Sequence, residues 1–306
     1  MTSLQLFKEE QKRIQSGDYK LGDFKFTRCQ DCSSHKSMLM HCTYVFKYDA
    51  RIWQCGFCEN NLKLKKRDKM VYRIAIDGDS IISKALHRQP DDMEKAYFEV
   101  CLSLGQIKSA IFFGLHEYEK GDEIEMKIIL TPRTNFRYNI FPDYKNKRPP
   151  RSESRIVLMK IVLERLKPWA EIHKDVEADD VVIHYAKQGW MVAAIDKDVI
   201  NACPTYCYNY NKFVWEQPKS DMQIEAWYLM QALMGDSTDC IPGAKGIGEK
   251  GAFKIVNDMS WKSFSGIIEY FDSYDEALLS MRLVRMDQWN GKEVILWTPD
   301  MESSVI

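Results

Sequence analysis

The sequence contains no apolar run long enough to cross a membrane. Its first residues lack the apolar stretch of a signal peptide, because Lys8, Glu9 and Lys12 interrupt them. The nine cysteines are odd in number, which argues against a framework of paired disulfides. These absences predict a cytoplasmic protein that makes no membrane contact. Its 306 residues, 45% of them hydrophobic, suffice for one large domain and a small appendage.

The charge is nearly balanced overall but is unevenly distributed along the chain. The formal net charge is −1, yet residues 1–70 hold 14 Lys and Arg against 8 Asp and Glu, and residues 131–174 hold 11 against 4. Basic segments beside an acidic remainder are typical of proteins that attract polyanions. One basic and one acidic surface, each simply exposed to water, would give the same distribution of charge. Charge alone therefore does not decide the function.

Composition and hydrophobic pattern divide the chain into five segments. From residue 71 short apolar strands alternate with helices, which predicts an α/β domain with a mainly parallel central sheet flanked by helices. Residues 109–113 and 126–130 are two of its predicted strands. The five segments are a polar N-terminal helix or tail (1–23), a Cys-rich module (24–62), a basic linker (63–70), the α/β domain (71–220) and a helical region (221–306).

Acidic residues occur in four clusters, each at the end of a predicted strand or helix. Because parallel strands place their carboxyl ends at one edge of a sheet, we expect these clusters to meet there. Gathered carboxylates repel one another, and hard divalent cations relieve that repulsion. A turn or a helix cap would explain any single cluster, but four in this arrangement favour a metal site. The clusters are Asp77-Gly78-Asp79, Glu177-Ala178-Asp179-Asp180, Asp196-Lys197-Asp198 and Asp236-Ser237-Thr238-Asp239.

Five motifs in fixed order resemble the 5′-nuclease (flap endonuclease-like) superfamily, and its phage 5′→3′ exonuclease branch most closely. They are VYRIAIDGDS, FRYNIFPDYKNKR, EADD, AIDKD and MGDSTDCIPGAKGIGEKGA. Each motif is weak alone, but the ordered set over residues 71–257 is specific. The resemblance implies a PIN/5′-nuclease-like fold. It also implies metal-dependent hydrolysis of phosphodiesters near DNA 5′ ends, flaps or nicks, extending to RNA–DNA hybrids and RNA-primer removal.

The resemblance also implies a site for two Mg²⁺ or Mn²⁺ ions. Glu177, Asp179, Asp196 and Asp198 would lie nearest the ions, and Asp77 would act through water. Lys145 and Arg148 would be the catalytic cations that stabilise the scissile phosphate. The full set of implied metal carboxylates is Asp77, Glu177, Asp179, Asp180, Asp196, Asp198, Asp236 and Asp239.

A glycine-punctuated turn over residues 243–251 resembles the family's helix–three-turn–helix. In the family such loops hold DNA and bind a monovalent cation through carbonyls, which implies a K⁺ site here. Tyr144 either stacks on a terminal base or packs in the core. The residues implied to bind DNA are Arg137, Tyr144, Lys147, Lys245, Gly246, Gly248, Lys250 and Lys254.

The chain departs from the family's pattern in two places. Where the family has an aspartate before the FRYNIF segment, this chain has Pro132. We expect the carboxylate to be absent or supplied by Asp122, Glu123 or Glu125. Only 28 residues separate Arg148 from Glu177, which predicts one helix with a short connector and an open gateway.

The Cys-rich module carries paired knuckles that are not part of the nuclease motifs. Cys29-x-x-Cys32 and Cys55-x-x-Cys58 are 22 residues apart, which predicts a zinc-ribbon-like fold around one Zn²⁺. We expect the module to bind DNA or to dock a replication protein.

Two other functions remain open at the level of the sequence. A haloacid-dehalogenase-like phosphatase would use Asp77-Gly78-Asp79-Ser80 as its nucleophile motif, but it gives no role to the Glu177 cluster or to the glycine loop. A non-catalytic DNA-end-binding protein would explain Pro132. If the chain is phage-encoded, its place of action is the host cytoplasm.

Overall fold

A computed structural model describes residues 69–114, 122–260 and 262–301 in full. It also describes the backbone of two strands, β1 (Val45–Tyr48) and β2 (Ile52–Cys55), which pair antiparallel in the unit formed by residues 1–68. Cys55 ends β2, whereas Cys29, Cys32 and Cys58 lie outside the described residues. The predicted zinc module therefore stays a prediction, as do the bounds of the segments before residue 69.

The unit from Lys69 onward is built on a six-stranded sheet in the order β5-β4-β3-β6-β7-β8. Neighbouring strands run parallel except β7 and β8, so the predicted mainly parallel sheet is confirmed. Ile74, Ala75 and Ile76 of its central strand are all fully buried, as expected where helices cover both faces of a parallel sheet. The strands are β3 (Val71–Asp77), β4 (Glu123–Leu130), β5 (Ala170–Ile172), β6 (Met191–Ala193), β7 (Cys207–Asn209) and β8 (Val214–Glu216).

The helices of the described residues pack around this sheet and beyond it. One apolar cluster joins Ala75 and Ile129 of the sheet with buried residues of α5, α7, α8 and α9. No helix of the described residues has the length and apolar character to span a membrane. The helices are α1 (Gly78–Arg88), α2 (Met93–Gly114), α3 (Phe136–Ile140), α4 (Glu153–Arg165), α5 (Ala178–Lys187), α6 (Lys197–Asn201), α7 (Asp221–Met234), α8 (Glu249–Asp258) and α9 (Tyr274–Val284).

Two predictions about local structure have opposite outcomes. The strand predicted over residues 109–113 is wrong, because these residues form the end of α2. Val100, Leu104, Ile107 and Ile111 recur at helical spacing and are all buried, so packing continues the helix through a short apolar run that resembles a strand. The single helix predicted between Arg148 and Glu177 is confirmed as α4.

Helices α7 and α8 are joined by a tight loop over residues 235–248. Asp236 and Ile241 exchange both backbone hydrogen bonds, at 3.0 and 2.8 Å. Gly235 ends α7 with φ +64°, and a Cβ added there would lie 2.4 Å from the carbonyl oxygen of Ile241 and 2.7 Å from the nitrogen of Gly243. This loop can therefore close only when Gly235 has no side chain.

Replacing Gly235 by alanine should destabilise the fold by about 3 kcal/mol, since a strained φ and a backbone clash act together. Gly189 offers a matched control, because its φ is +85° but nothing lies within 4 Å of an added Cβ. Gly189→Ala should cost only about 1 kcal/mol, the strain alone. Denaturant midpoints measure both variants, and equal losses would contradict the close approach at Gly235.

Candidate active site

The first and third acidic clusters leave the same edge of the sheet. Asp77 ends β3 and caps α1, while Asp196 follows β6 and caps α6. These two strands are parallel neighbours, with Ile76 opposite Ala193. Their carboxylates therefore emerge side by side at the carboxyl edge, where open α/β sheets place their sites.

Asp77 is buried, and its side chain is held by the start of α1. Its Oδ1 accepts hydrogen bonds from the backbone nitrogens of Asp79 at 3.0 Å and Ser80 at 3.3 Å, and its Oδ2 accepts one from Ser80 Oγ. Burial raises the pKa of Asp77 to about 7, and the charges of Asp79 and Asp196 add to the rise. Burial and the neighbouring charges therefore disfavour the ionised form of this carboxylate, which a bound cation would favour.

Repulsion links the other clusters to Asp77. Burial raises the pKa of Asp179, and the charges of Asp77, Asp196 and Glu177 raise it further, although part of the side chain remains accessible to solvent. Burial likewise raises the pKa of Asp198 to about 6, with contributions from Asp196 and Asp236. These mutual effects show that the structure brings all four clusters into one site.

The fourth cluster meets the basic segment that follows α3. Asp236 Oδ1 accepts from the backbone nitrogens of Thr238 at 2.7 Å and Asp239 at 3.3 Å. The backbone of Lys145 donates to the carbonyl of Asp239 at 2.9 Å, and the Lys145 ammonium lies 3.7 Å from Asp239 Oδ2. Arg148 pairs with the other oxygen of Asp239. Both predicted catalytic cations thus border the carboxylates.

Glu177 is buried, and three different side chains donate hydrogen bonds to it. Its carboxylate accepts from Asn135 Nδ2 at 3.0 Å, from the Tyr144 hydroxyl at 2.8 Å and from Lys145 Nζ. Burial alone would raise its pKa, but Lys145 and Arg137 outweigh that effect and hold the pKa below its ordinary value. Glu177 is therefore an ionised, fixed residue at the base of the site.

Arg137 and Asp180 are structural, which makes two sequence predictions wrong. Arg137 is only 2% exposed and binds both oxygens of Asp180, at 2.7 and 2.8 Å. Asp180 Oδ2 also accepts from the backbone nitrogen of Glu177 at 2.9 Å, completing a capping box at the start of α5. Arg137 cannot reach DNA from this position, and Asp180 has no oxygen directed at a metal.

Tyr144 follows the second of its two predicted roles. It is 2% exposed, and its hydroxyl is committed to Glu177. Stacking on a terminal base is therefore wrong for Tyr144, and core packing is correct. The motif match could not show this, because Glu177 lies 33 residues further along the chain.

The remaining residues predicted to bind DNA lie at the surface. All of them are exposed to solvent. One follows Tyr144, three lie on the loop over residues 235–248, and two lie on α8. Gly246 has φ +77° with open space around its Cα. These exposed residues are Lys147, Lys245, Gly246, Gly248, Lys250 and Lys254.

Pro132 and the preceding Thr131 make hydrogen bonds that stabilise the fold. Thr131 Oγ1 accepts from the backbone nitrogen of Ala178 at 2.9 Å, and Arg151 donates to the carbonyls of Thr131 and Pro132 at 3.1 and 2.9 Å. No side-chain carboxylate stands there.

The predicted substitutes for the missing aspartate are wrong. Glu123 and Glu125 lie at the beginning of β4, opposite Val71 and Arg73 of β3. They are about 15 Å or more from the carboxyl edge at roughly 3.3 Å per residue. Asp122 precedes them and accepts from the backbone of Met70.

Several residues of the site were missed by sequence reasoning. Asp79 belongs to the first cluster and raises the pKa of Asp77, yet it was not predicted as a ligand. Arg155 Nη2 lies 3.2 Å from Asp79 Oδ1, and its Nη1 donates to Ser83 at 2.6 Å. Gln231 donates to Asp198. The one available signal was that Arg151 and Arg155 stand four residues apart at the start of a predicted helix.

The carboxylate oxygens of the site are suitable ligands for a hard divalent cation. Their side chains are not oriented toward one common position in this structure. Within the described ranges, no three His, Cys, Asp or Glu side chains are arranged to hold one metal ion. The reason is visible in their contacts, since Asp77, Asp196 and Asp236 accept from backbone N–H groups while Lys145 and Arg155 pair with other carboxylates. The donors are all oxygens and repel one another, which is the chemistry that Mg²⁺ or Mn²⁺ satisfies.

No protein-family model matches the chain. The thermostable DNA polymerase I of Thermus aquaticus is 27% identical over 186 residues, which are 55% of this chain and 22% of that protein. The chain thus spans about a fifth of the length of the polymerase relatives it matches. A 5′-3′ exonuclease of Aquifex aeolicus is 24% identical over 237 residues, covering 69% of this chain and 80% of that protein.

Solved structures share the fold. The phage T5 5′-exonuclease with bound zinc superimposes with a TM-score of 0.53 and 19% identity, covering 71% of this chain and 90% of that one. A T5 flap endonuclease in complex with DNA and metal ions gives a TM-score of 0.51 and 17% identity, covering 71% and 89%. The chain is therefore similar in sequence to a 5′-3′ exonuclease and to part of DNA polymerase I, and it shares the fold of the T5 5′-exonuclease.

Proposed function

We propose that this protein is a metal-dependent 5′ nuclease that hydrolyses phosphodiesters near DNA 5′ ends. The observation that carries the proposal is the site at the carboxyl edge, where mutually repelling carboxylates stand beside Lys145 and Arg148. The names of its relatives, a 5′-3′ exonuclease and a flap endonuclease, support the same activity. The common fold speaks against the haloacid-dehalogenase-like alternative.

Two divalent ions, Mg²⁺ or Mn²⁺, are the proposed cofactors. When bound, such ions lower the pKa of water and stabilise the leaving oxygen. The T5 relatives with bound metal ions support this part of the proposal. The proposed ligands, direct or through water, are Asp77, Glu177, Asp179, Asp196, Asp198, Asp236 and Asp239.

The protein's own cations position the phosphate. Lys145 is 17% exposed and is held between Glu177 and Asp239, so its ammonium stays at the border of the carboxylates. Arg148 is half-exposed and pairs with Asp239 from the solvent side. We assign both to the scissile phosphate, where negative charge builds as the phosphodiester is broken.

The DNA surface is assigned to α8 and the loop before it. Gly248 caps α8 without a side-chain hydrogen bond, so the first backbone N–H groups of the helix are open to a phosphate. Lys245, Lys250 and Lys254 add exposed positive charge around them. Carbonyls of the same loop are the proposed K⁺ site.

Three further assignments belong to the proposal. RNA–DNA hybrids are included as proposed substrates, because they have the same phosphodiester on which the carboxylate site is proposed to act. The N-terminal module is proposed to hold one Zn²⁺ through Cys29, Cys32, Cys55 and Cys58 and to contact DNA or a replication protein. The place of action is proposed to be the cytoplasm.

Cleavage of a 5′-labelled flap by the wild-type chain is expected with Mg²⁺ or Mn²⁺ and is expected to stop in EDTA. Parallel reactions on blunt duplex, nicked and RNA–DNA hybrid substrates rank the preferred 5′ end. Tight flap binding without product under either metal would instead support the non-catalytic alternative that Pro132 motivates.

Asp196→Asn should slow cleavage more than about 100-fold, because it removes a charged metal ligand but keeps the shape of the side chain. Asp272→Asn changes an exposed carboxylate on the segment before α9 and is the matched control. Initial rates at saturating Mg²⁺ measure both variants. Wild-type rates in Asp196→Asn would remove this residue from the site.

Neutralising Lys250 and Lys254 together should weaken DNA binding and lower the slope of log K against log salt concentration by about 1.8, at about 0.9 per phosphate contact. Lys95→Gln is the control, since this exposed lysine on α2 pairs with Asp92. Affinities measured in EDTA at four salt concentrations give both slopes. An unchanged slope in the double variant would place the DNA elsewhere.

Purified protein is expected to contain one zinc per chain, resistant to dialysis, because four thiolates bind Zn²⁺ tightly. Metal analysis of the wild-type chain and of a Cys29→Ser, Cys32→Ser variant measures this. A Cys101→Ser variant controls for non-specific thiol binding, because Cys101 is a half-buried cysteine of α2. Equal zinc content in all three would contradict the proposed ligands.

A further inference from the structure

Arg137 lies beneath the site, and all three nitrogens of its guanidinium donate hydrogen bonds to protein groups. Nη1 and Nη2 bind the two oxygens of Asp180, and Nη1 also lies 3.5 Å from Glu177 Oε2. Nε donates to the carbonyl of Leu283 at 2.9 Å, and Nη2 donates to the carbonyl of Arg285 at 2.7 Å. No N–H is left for a phosphate, so any effect of Arg137 on the reaction must pass through its neighbours.

The carbonyls that anchor Arg137 stand at the end of α9. A helix C-terminus carries a partial negative charge, so a buried guanidinium is favourable there. Arg285 is fixed in turn, since its guanidinium binds Glu225 of α7 and Asp287 on two edges and stacks on the ring of Tyr228. Arg137 therefore rests on a rigid support that belongs to the helical region.

The opposite end of this network is Glu177, the ionised carboxylate at the bottom of the site. Asp180, held by Arg137, accepts the backbone N–H of Glu177 and so fixes the start of α5. Glu177 then holds Lys145, the cation assigned to the scissile phosphate. A continuous set of hydrogen bonds thus joins Lys145 to the end of α9 and, through Arg285 and Glu225, to α7, the helix that leads into the loop over residues 235–248.

We propose that Arg137 is a positioning residue for the cleavage reaction, one that fixes Glu177, and through it Lys145, relative to the helical region. This inference rests on the proposed nuclease function. The positioning role requires an arginine at position 137, because only a planar guanidinium can bind both oxygens of Asp180 and two backbone carbonyls at once. A lysine keeps the charge but can satisfy only part of this set.

Arg137→Lys should slow single-turnover cleavage at saturating Mg²⁺ at least tenfold, while DNA affinity in EDTA stays within twofold. Hydrogen exchange at the Glu177 amide should accelerate, because its acceptor Asp180 loses its bidentate partner. Arg165→Lys is the control, since Arg165 makes the same bidentate contact with Glu94 but at the surface. The control should leave both readouts unchanged.

Tyr144→Phe supplies an independent test of the same path. It removes only the hydroxyl that donates to Glu177 and should also slow cleavage with little change in DNA affinity. In the double variant with Arg137→Lys, the loss should be smaller than the product of the two single losses, because both act through Glu177. If the loss of cleavage rate in the double variant equals the product of the two single losses, Arg137 and Tyr144 do not act through the same residue.

A wild-type rate in Arg137→Lys, with folding shown by an unchanged circular dichroism spectrum, would overturn the inference while leaving the nuclease proposal intact. Absence of cleavage by the wild-type chain would instead reject the nuclease proposal itself. Should Arg137→Lys fail to fold, Glu225→Gln tests the anchor, since it loosens Arg285 without touching the site. It should slow cleavage severalfold, and an unchanged rate would overturn the anchoring role.

Discussion

Repulsion among carboxylates at the carboxyl edge of the sheet is the constraint around which the rest of this structure is arranged. Parallel strands β3 and β6 deliver Asp77 and Asp196 to adjacent positions. The start of α5 brings the Glu177 cluster to them, and the loop after α7 brings the Asp236 cluster. Burial strengthens the effect, because charged groups lose hydration there. Burial first, and the charges of neighbouring carboxylates second, raise the pKa values of Asp77 and Asp198.

This constraint explains how the basic residues of segment 131–174 are used. Their excess of positive charge suggests a surface for polyanions, but three of them pair with acids of the site and a fourth pairs with Asp180 beneath it. Arg137 binds Asp180, Lys145 binds Glu177, Arg148 binds Asp239 and Arg155 binds Asp79. These four basic residues therefore neutralise acidic groups in or beneath the site. In the proposed function, the positive charge along the rest of a DNA strand comes from the exposed lysines of α8 and its preceding loop.

The parts that could be predicted from the sequence are those governed by local pattern. Apolar runs that end in an acidic residue indicate strands leading to a site, so β3, β6 and the positions of Asp77 and Asp196 follow from the chain itself. The end of α2 was mispredicted because a short apolar run fits a strand or a buried helix equally well.

The errors at the site have a different cause. Asp180 and Arg137 match motif positions, yet their burial comes from partners that stand 43 and 146 residues from Arg137. Sequence spacing carries no information on such distant pairs. Asn135 and Gln231 were missed for the same reason, since a single amide in a chain gives no signal until its partner carboxylate is placed beside it.

The number of carboxylates in the site, less those paired with Lys or Arg, gives the negative charge that bound cations would have to offset. Eight carboxylates belong to it once Asp79 is included and Asp180 is excluded, and three of them are offset by ion pairs with Lys145, Arg148 and Arg155. Full ionisation leaves five negative charges, one more than two divalent ions carry. Pro132 removes a carboxylate from the family's pattern, but Asp79 restores one next to Asp77. The two divalent ions of the proposed function would offset four of the five charges, and Arg155 is the residue that would compete with them for Asp79.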